Sequence, residues 1–290
     1  MTLLTCIQDA ARELGLVAPS SVVTATTDLV AQQLLAAANR GGRELRTEYD
    51  WPQLTKEYTF TLTSGTASYA MPADFDRFAF STHWDRSNSW EMAGPISEMD
   101  WQAIKSGVVT APLRKRWRFK GYTTNQFFLA DTPGADDDGN TMVFEYYTKN
   151  WLRPRLWAAS TAYTSGEYAF YNGNYYTAGS SATSGSTPPT HTTGSASDGT
   201  ITWTYVSTPY ERATADTDVS HIDENLITLE IKWRYRAAKM LDGWEVMKME
   251  ADAAAHRLSG ANRGATNINL NTGRFARCAY DEPETPETFG

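Results

Sequence analysis

The side chains able to do chemistry are few and scattered. The four histidines, His83, His191, His221 and His256, share no ligand spacing, and no H-E-x-x-H is present. The two cysteines, Cys6 and Cys278, lie near opposite ends, which is neither a disulfide framework nor a metal pattern. Carboxylates pair at Asp74 with Asp76 and at Asp216 with Asp218. Glycoside hydrolysis uses two carboxyl groups roughly 5–10 Å apart across a cleft, but acids are so common that such pairs carry little weight. The run ADDDGN (135–140) offers oxygen ligands of the kind Ca²⁺ takes. A dedicated cage needs more ligands at defined spacing, so the run reads as a hairpin loop. There is no G-x-S-x-G elbow, P-loop or G-x-G-x-x-G. Gly173, between Asn172 and Asn174, precedes no helical pattern and reads as a hairpin turn rather than a phosphate cradle. His191 falls in a Thr-rich surface loop. The expectation is a protein without catalytic residues, cofactor or metal, and not an enzyme.

What remains is architecture. The chain has 290 residues, 41% of them hydrophobic, which suffices for one large or several small cores. Its 12% aromatic content, with ten Trp and fifteen Tyr, favours β-structure and interfaces. A net charge of −8 argues against a general nucleic-acid binder, although an acidic wall suits DNA that must slide without sticking. Met1–Leu16 carries Asp9, Arg12 and Glu13, so no signal peptide is expected, and no apolar run is long enough to span a membrane.

The apolar period divides the chain. Leu3, Ile7, Ala10, Ala11 and Leu14 mark an amphipathic helix over 2–16. A second helix starts at an N-cap near Thr27 or Asp28 and carries Val30, Leu34, Ala38, Leu45 and Tyr49 on one face. Gly41–Gly42 weakens its middle by roughly 1 kcal/mol per glycine, and marks either close packing or a kink. The helix ends by Trp51–Pro52. From 55 to 150 the period becomes two, in KEYTFTLT, DRFAFSTHW, WRFKGY, QFFLADTPG and NTMVFEYYTK. With a short helix at 96–107, this predicts an antiparallel β-domain, a sandwich or barrel. Residues 151–210 are poor in charge and rich in Tyr, Trp, Thr, Ser and Gly, and read as an inserted β-module. Its polar stretch Ser184–Tyr205 reads as an ordered loop with a turn at Asp198–Gly199. Within 211–260, Leu226, Leu229, Trp233, Ala237, Met240, Leu241, Trp244 and Met247 predict one helix of about 35 residues, about 50 Å long, bent at Gly243. Residues 261–290 read as an extended tail that folds on a partner. The fold class expected is α+β, with the 1–54 helices and the long C-terminal helix packed together as a helical bundle, a central antiparallel β-domain and an inserted small β-module.

Two motif sets resemble known families. RGGRELRTEYDWPQL (40–54), YAMPADFDRF (69–78), QFFLADTPG and MVFEYYTKNW, in this order, resemble head-to-tail adaptors, or head-completion proteins, of tailed and especially short-tailed bacteriophages. The resemblance spans roughly 1–150 and, more loosely, 220–265. It implies a ring, usually of twelve copies, between the portal protein and the tail tube or nozzle, around a channel that passes genomic DNA. It also implies residence at the head–tail junction of a virion made in the host cytoplasm, and a C-terminal extension that reaches the portal. On that reading Leu226, Trp233, Met240 and Trp244 contact portal or neighbouring copies, and Arg274, Phe275, Arg277 and Tyr280 anchor the tail. The stretch 157–206, with YNGNYYTA and DGTITWTY, resembles small carbohydrate-binding-type β-modules. That likeness implies sugar or neighbour contact through Trp157, Tyr163, Tyr176, Trp203 and Tyr205, and an alternative function as a tail-associated glycan binder.

Overall fold

The structure is a computed structural model, and it describes residues 1–107, 114–121 and 124–261. Among the described residues, five α-helices and several antiparallel sheets make a mixed α+β fold.

Helix α1 (Leu3–Glu13) is capped by Thr2, whose hydroxyl accepts from Thr5 N at 3.3 Å. Helix α2 (Leu29–Glu48) is capped by Asp28, which accepts from Val30 N and Ala31 N at 3.0 and 3.1 Å. The glycine pair inside α2 resolves as close packing, because the helix runs on through it. A Cβ on Gly41 would lie 3.0 Å from Glu230 Cβ, and one on Gly42 only 2.3 Å from the Trp151 ring. Trp51 then turns inward, donating from Nε1 to Leu45 O at 2.9 Å, and Pro52 opens a short 3₁₀ turn that ends the helical region.

A five-stranded sheet is built on Thr141–Thr148. Thr55–Thr61 pairs along one edge, from Thr55 opposite Tyr147 to Thr61 opposite Thr141. Phe75–Phe78 and Trp84–Asp85 pair along the other, and Trp90–Glu91 extends it. A second sheet joins Ser68–Ala70, Gln126–Leu129 and Trp117–Lys120. Both contribute to one aromatic core that includes Phe60, Phe75, Trp117, Phe127, Phe144 and Tyr146. Helix α3 (Glu98–Lys105), capped by Ser97, leads towards the second sheet. The acidic run 135–140 is not a hairpin loop: Leu129 and Thr141 end strands of different sheets, so it bridges the two. Two of its three acids are engaged there, Asp137 with Lys115 and with Gly134 N, and Asp138 with Ser64 N.

Residues 151–210 form a four-stranded antiparallel sheet in the order Tyr168–Tyr171, Asn174–Ala178, Ile201–Tyr205, Ser195–Asp198, beside a short pair, Ala162–Tyr163 with Ala182–Thr183. Asn172 (φ 47°) and Gly173 (φ 82°) close the first hairpin between the paired Tyr171 and Asn174. This double positive-φ turn suits the right-handed twist of the strands. Gly199 (φ 63°) turns the second, between the paired Asp198 and Ile201.

The C-terminal helical segment differs from the single long helix expected. Helix α4 (Glu224–Ala238) stops, and helix α5 (Trp244–Ala261) packs back against it. Met240 (φ 54°) and Gly243 (φ 81°) adopt left-handed backbone that no helix interior accommodates. Arg236 donates to Asp242 O and holds the corner. The apolar period crosses the break unchanged, so spacing alone shows no interruption. Helix α4 buries Leu226, Ile227, Glu230, Ile231 and Tyr235 against α1 and α2, while α5 buries Ala251, Ala255 and Ser259.

Candidate assembly interface

The carboxylates paired in the sequence are occupied in holding the fold. Asp74 accepts from Lys56 Nζ (2.8 Å), Tyr146 Oη (2.8 Å) and Thr148 Oγ1 (2.7 Å). Burial pushes its carboxyl upward, but these partners together hold it below the usual carboxylate range. Asp76 pairs with Arg77 and Arg46. Asp216 accepts from Val22 N and Val23 N at 3.0 and 2.9 Å, tying the chain before α4 to the loop after α1. Asp218 is fully buried, and burial raises its carboxyl despite donors at Thr214 N, Ala215 N and Tyr210 Oη.

The histidines serve packing. His83 stacks on Trp117 with ring centroids 3.9 Å apart, and burial lowers it to about 4. His221 is likewise lowered to about 4, by burial first and then by Arg153 and Lys56. His256 meets Tyr49 edge-on, and His191 lies against Tyr176. Among the described residues no group of three His, Cys, Asp or Glu could hold a metal ion, and no helix is long and apolar enough to cross a membrane.

The aromatic residues of 151–210 divide by burial. Trp203, Tyr176 and Tyr163 form the core of the four-stranded sheet with Ala169, Ala178 and Ile201. They therefore present no face to a sugar ring. Asp198 sits beneath them and accepts from both Trp157 Nε1 and Trp203 Nε1, each at 3.2 Å. Only Trp157 and Tyr205 of the five keep part of their surface exposed. Tyr205 borders a cleft of about 540 Å³ between this sheet and the five-stranded one, with Tyr58, Asn172 and Asn174. Ser184, at the head of the polar stretch, is buried and hydrogen-bonds Ala158 O at 2.7 Å and Thr161 N at 3.0 Å, so the stretch is an ordered part of the fold.

The α4–α5 corner brings together three residues chosen from sequence. Trp233 lies near Trp244 with ring centroids 6.5 Å apart, and Met240 at the turn is 91% exposed. Leu241, read from sequence only as part of the helical period, is exposed at the turn, and Val246 and Met249, which sequence reasoning passed over, are exposed on α5. Val246 and Met249 lie off the Ala251–Ala255–Ser259 stripe that faces α4, and that offset was the available signal. The Trp233 ring is flanked by Arg234 (4.2 Å) and Lys248 (5.8 Å). A groove of about 420 Å³ leads from the corner between α4 and α2, lined by Ala36, Ala37, Trp233, Tyr235, Ala237 and Ala238. Leu226 does not join this surface. It is wholly buried against α1 and α2, because the first turns of α4 form the centre of the helical layer. Arg274, Phe275, Arg277 and Tyr280 lie outside the described residues.

Exposed apolar side chains at a helix corner suit an assembly contact. A comparison with curated proteins finds no match. Residues 1–274 match the family model described as SU10 adaptor protein, and the chain belongs to that family.

Proposed function

We propose that this phage adaptor is a ring-forming structural component between portal and tail, with the helical layer making the subunit contacts and the ring enclosing the channel for passing DNA. The observation that carries the reading is the α4–α5 corner, where Met240 and Leu241 are exposed and Trp233 and Trp244 only partly covered, with Val246 and Met249 exposed further round α5, apolar surface that water alone does not favour. The net charge of −8 suits a lumen through which DNA moves without sticking. The four-stranded sheet of 151–210 acts as an inserted module on the outer side of the ring, and the tail after Gly260 anchors on the portal. Copy number, usually twelve, comes from the resemblance alone.

The test is the mass of the full chain with and without purified portal protein. Closed rings retained on the portal support the reading, and a chain that stays single and unbound refutes it. A chain cut after Gly260 should lose portal retention; undiminished binding removes the anchor. The glycan-binding alternative gains no support from the aromatic residues, since three of its five contact residues are core.

A further inference from the structure

A closed ring needs two different surfaces on each subunit, so that the head of one copy meets the tail of the next. The α2–α4 groove is one such surface, and a candidate for its complement stands on the five-stranded sheet. Phe80 is 90% exposed, at the turn after Phe75–Phe78. Its backbone is firmly held on both sides. Ala79 N donates to Glu145 O at 3.0 Å, Thr82 Oγ1 donates to Ala79 O at 2.8 Å, and Glu145 N donates back to Thr82 Oγ1 at 3.0 Å. Ser81 is fixed at φ 59°, a conformation a non-glycine residue keeps only when its surroundings over-determine it. The turn thus presents an aromatic ring to solvent on a rigid base, at little ordering cost when it binds.

Charge supports the pairing. Glu145, beside the Phe80 turn, is exposed and forms no ion pair among the described residues. The groove rim carries Arg40, Arg234 and Lys239, and Lys239, exposed at the end of α4, likewise forms no ion pair among the described residues. One surface is therefore an apolar knob with an acid beside it. The other is an apolar groove, walled by alanines and Trp233, with a base at its mouth.

We infer that the occupant of the α2–α4 groove is a second copy of this chain, which inserts Phe80 between the alanines of α2 and α4 and sets Glu145 against Lys239. This pairing rests on the ring reading and specifies its subunit contact. The buried aromatic would be the anchor of the interface, and the ion pair would fix its register.

The test uses the full chain under the conditions that assemble it, with portal if portal is required. Phe80→Asp should leave the thermal midpoint unchanged, since the side chain touches solvent, and weaken self-association about tenfold or more. Glu145→Lys and Lys239→Glu should each weaken assembly, and the doubly substituted chain should regain most of it. Assembly of Phe80→Asp at the wild-type concentration overturns the inference, as does a double variant no better than either single one. The two levels separate cleanly. Wild-type rings with variants that assemble equally well leave the ring reading standing and remove only the pairing; a wild-type chain that never associates removes both.

Discussion

Gly42 shows how tightly the helical layer is set. Gly→Ala inside a helix ordinarily gains about 1 kcal/mol. Here the added methyl would sit 2.3 Å from the Trp151 ring, which is fully buried and anchored by its Nε1 bond to Glu211 O at 2.8 Å. Neither partner can yield, and overpacking of this kind costs about 1–3 kcal/mol or more. Gly42→Ala should therefore lower the thermal midpoint in a calorimetric scan. Gly41→Ala meets Glu230 Cβ at 3.0 Å, so propensity and crowding nearly cancel and the midpoint should move little. His83 sets a pH dependence. Its folded pKa of about 4 lies below the 6.5 of a free imidazole. Between these values the unfolded chain binds the extra proton, so stability is complete above about pH 6.5 and falls as pH drops towards 4. The loss from His83 alone is on the order of 3 kcal/mol, and His221 acts in the same direction. Denaturant titrations at intervals across that window should show the fall, and His83→Phe, which keeps the stack on Trp117, should make it shallower.

At the scale of elements, the four-stranded sheet of 151–210 rests on one indole. Trp203 is wholly buried, packs edge-on against Tyr163 at 4.8 Å, and shares Asp198 with Trp157. Trp203→Ala should cost about 3–5 kcal/mol. Hydrogen exchange should place the loss in 157–206 while the amides of α2 and α4 stay protected. Equal loss of protection in the helices would mean that the sheet and the helical layer unfold as one. Much at this scale was legible. Thr2 and Asp28 cap where the periodicity begins, the strand Thr55–Thr61 alternates visibly, and Asn172–Gly173 and Asp198–Gly199 turn as their chemistry requires. What stayed hidden is non-local. Nothing in KEYTFTLT tells that Thr55 faces Tyr147, or that Ser68–Ala70 leaves for another sheet. YNGNYYTA has aromatics on both faces, so alternation does not reveal that Tyr176 is core while Tyr171 is only partly covered. The break at Met240 escaped because a methionine at positive φ leaves no compositional mark.

For the whole molecule, the helical layer, the two-sheet β-domain and the four-stranded sheet meet at Asn150–Leu152. Trp151 enters the helical core, Tyr175 donates to Leu152 O at 3.0 Å, and Asn150 accepts from Tyr210 N at 2.6 Å. Such a junction holds the exposed corner in a fixed relation to the β-structure, as a subunit of a closed ring requires. Met240→Asp, at the corner, should leave the thermal midpoint unchanged and reduce assembly, because its side chain supports no intrachain packing. A fall in the midpoint would show that the corner serves the fold instead. The most direct measurement of the ring reading is the mass of the purified full chain, alone and mixed with its portal protein, by native mass spectrometry and electron microscopy. A closed oligomer of one defined copy number seated on the portal is the expected result. A chain that stays single at every concentration and is not retained by the portal would contradict it.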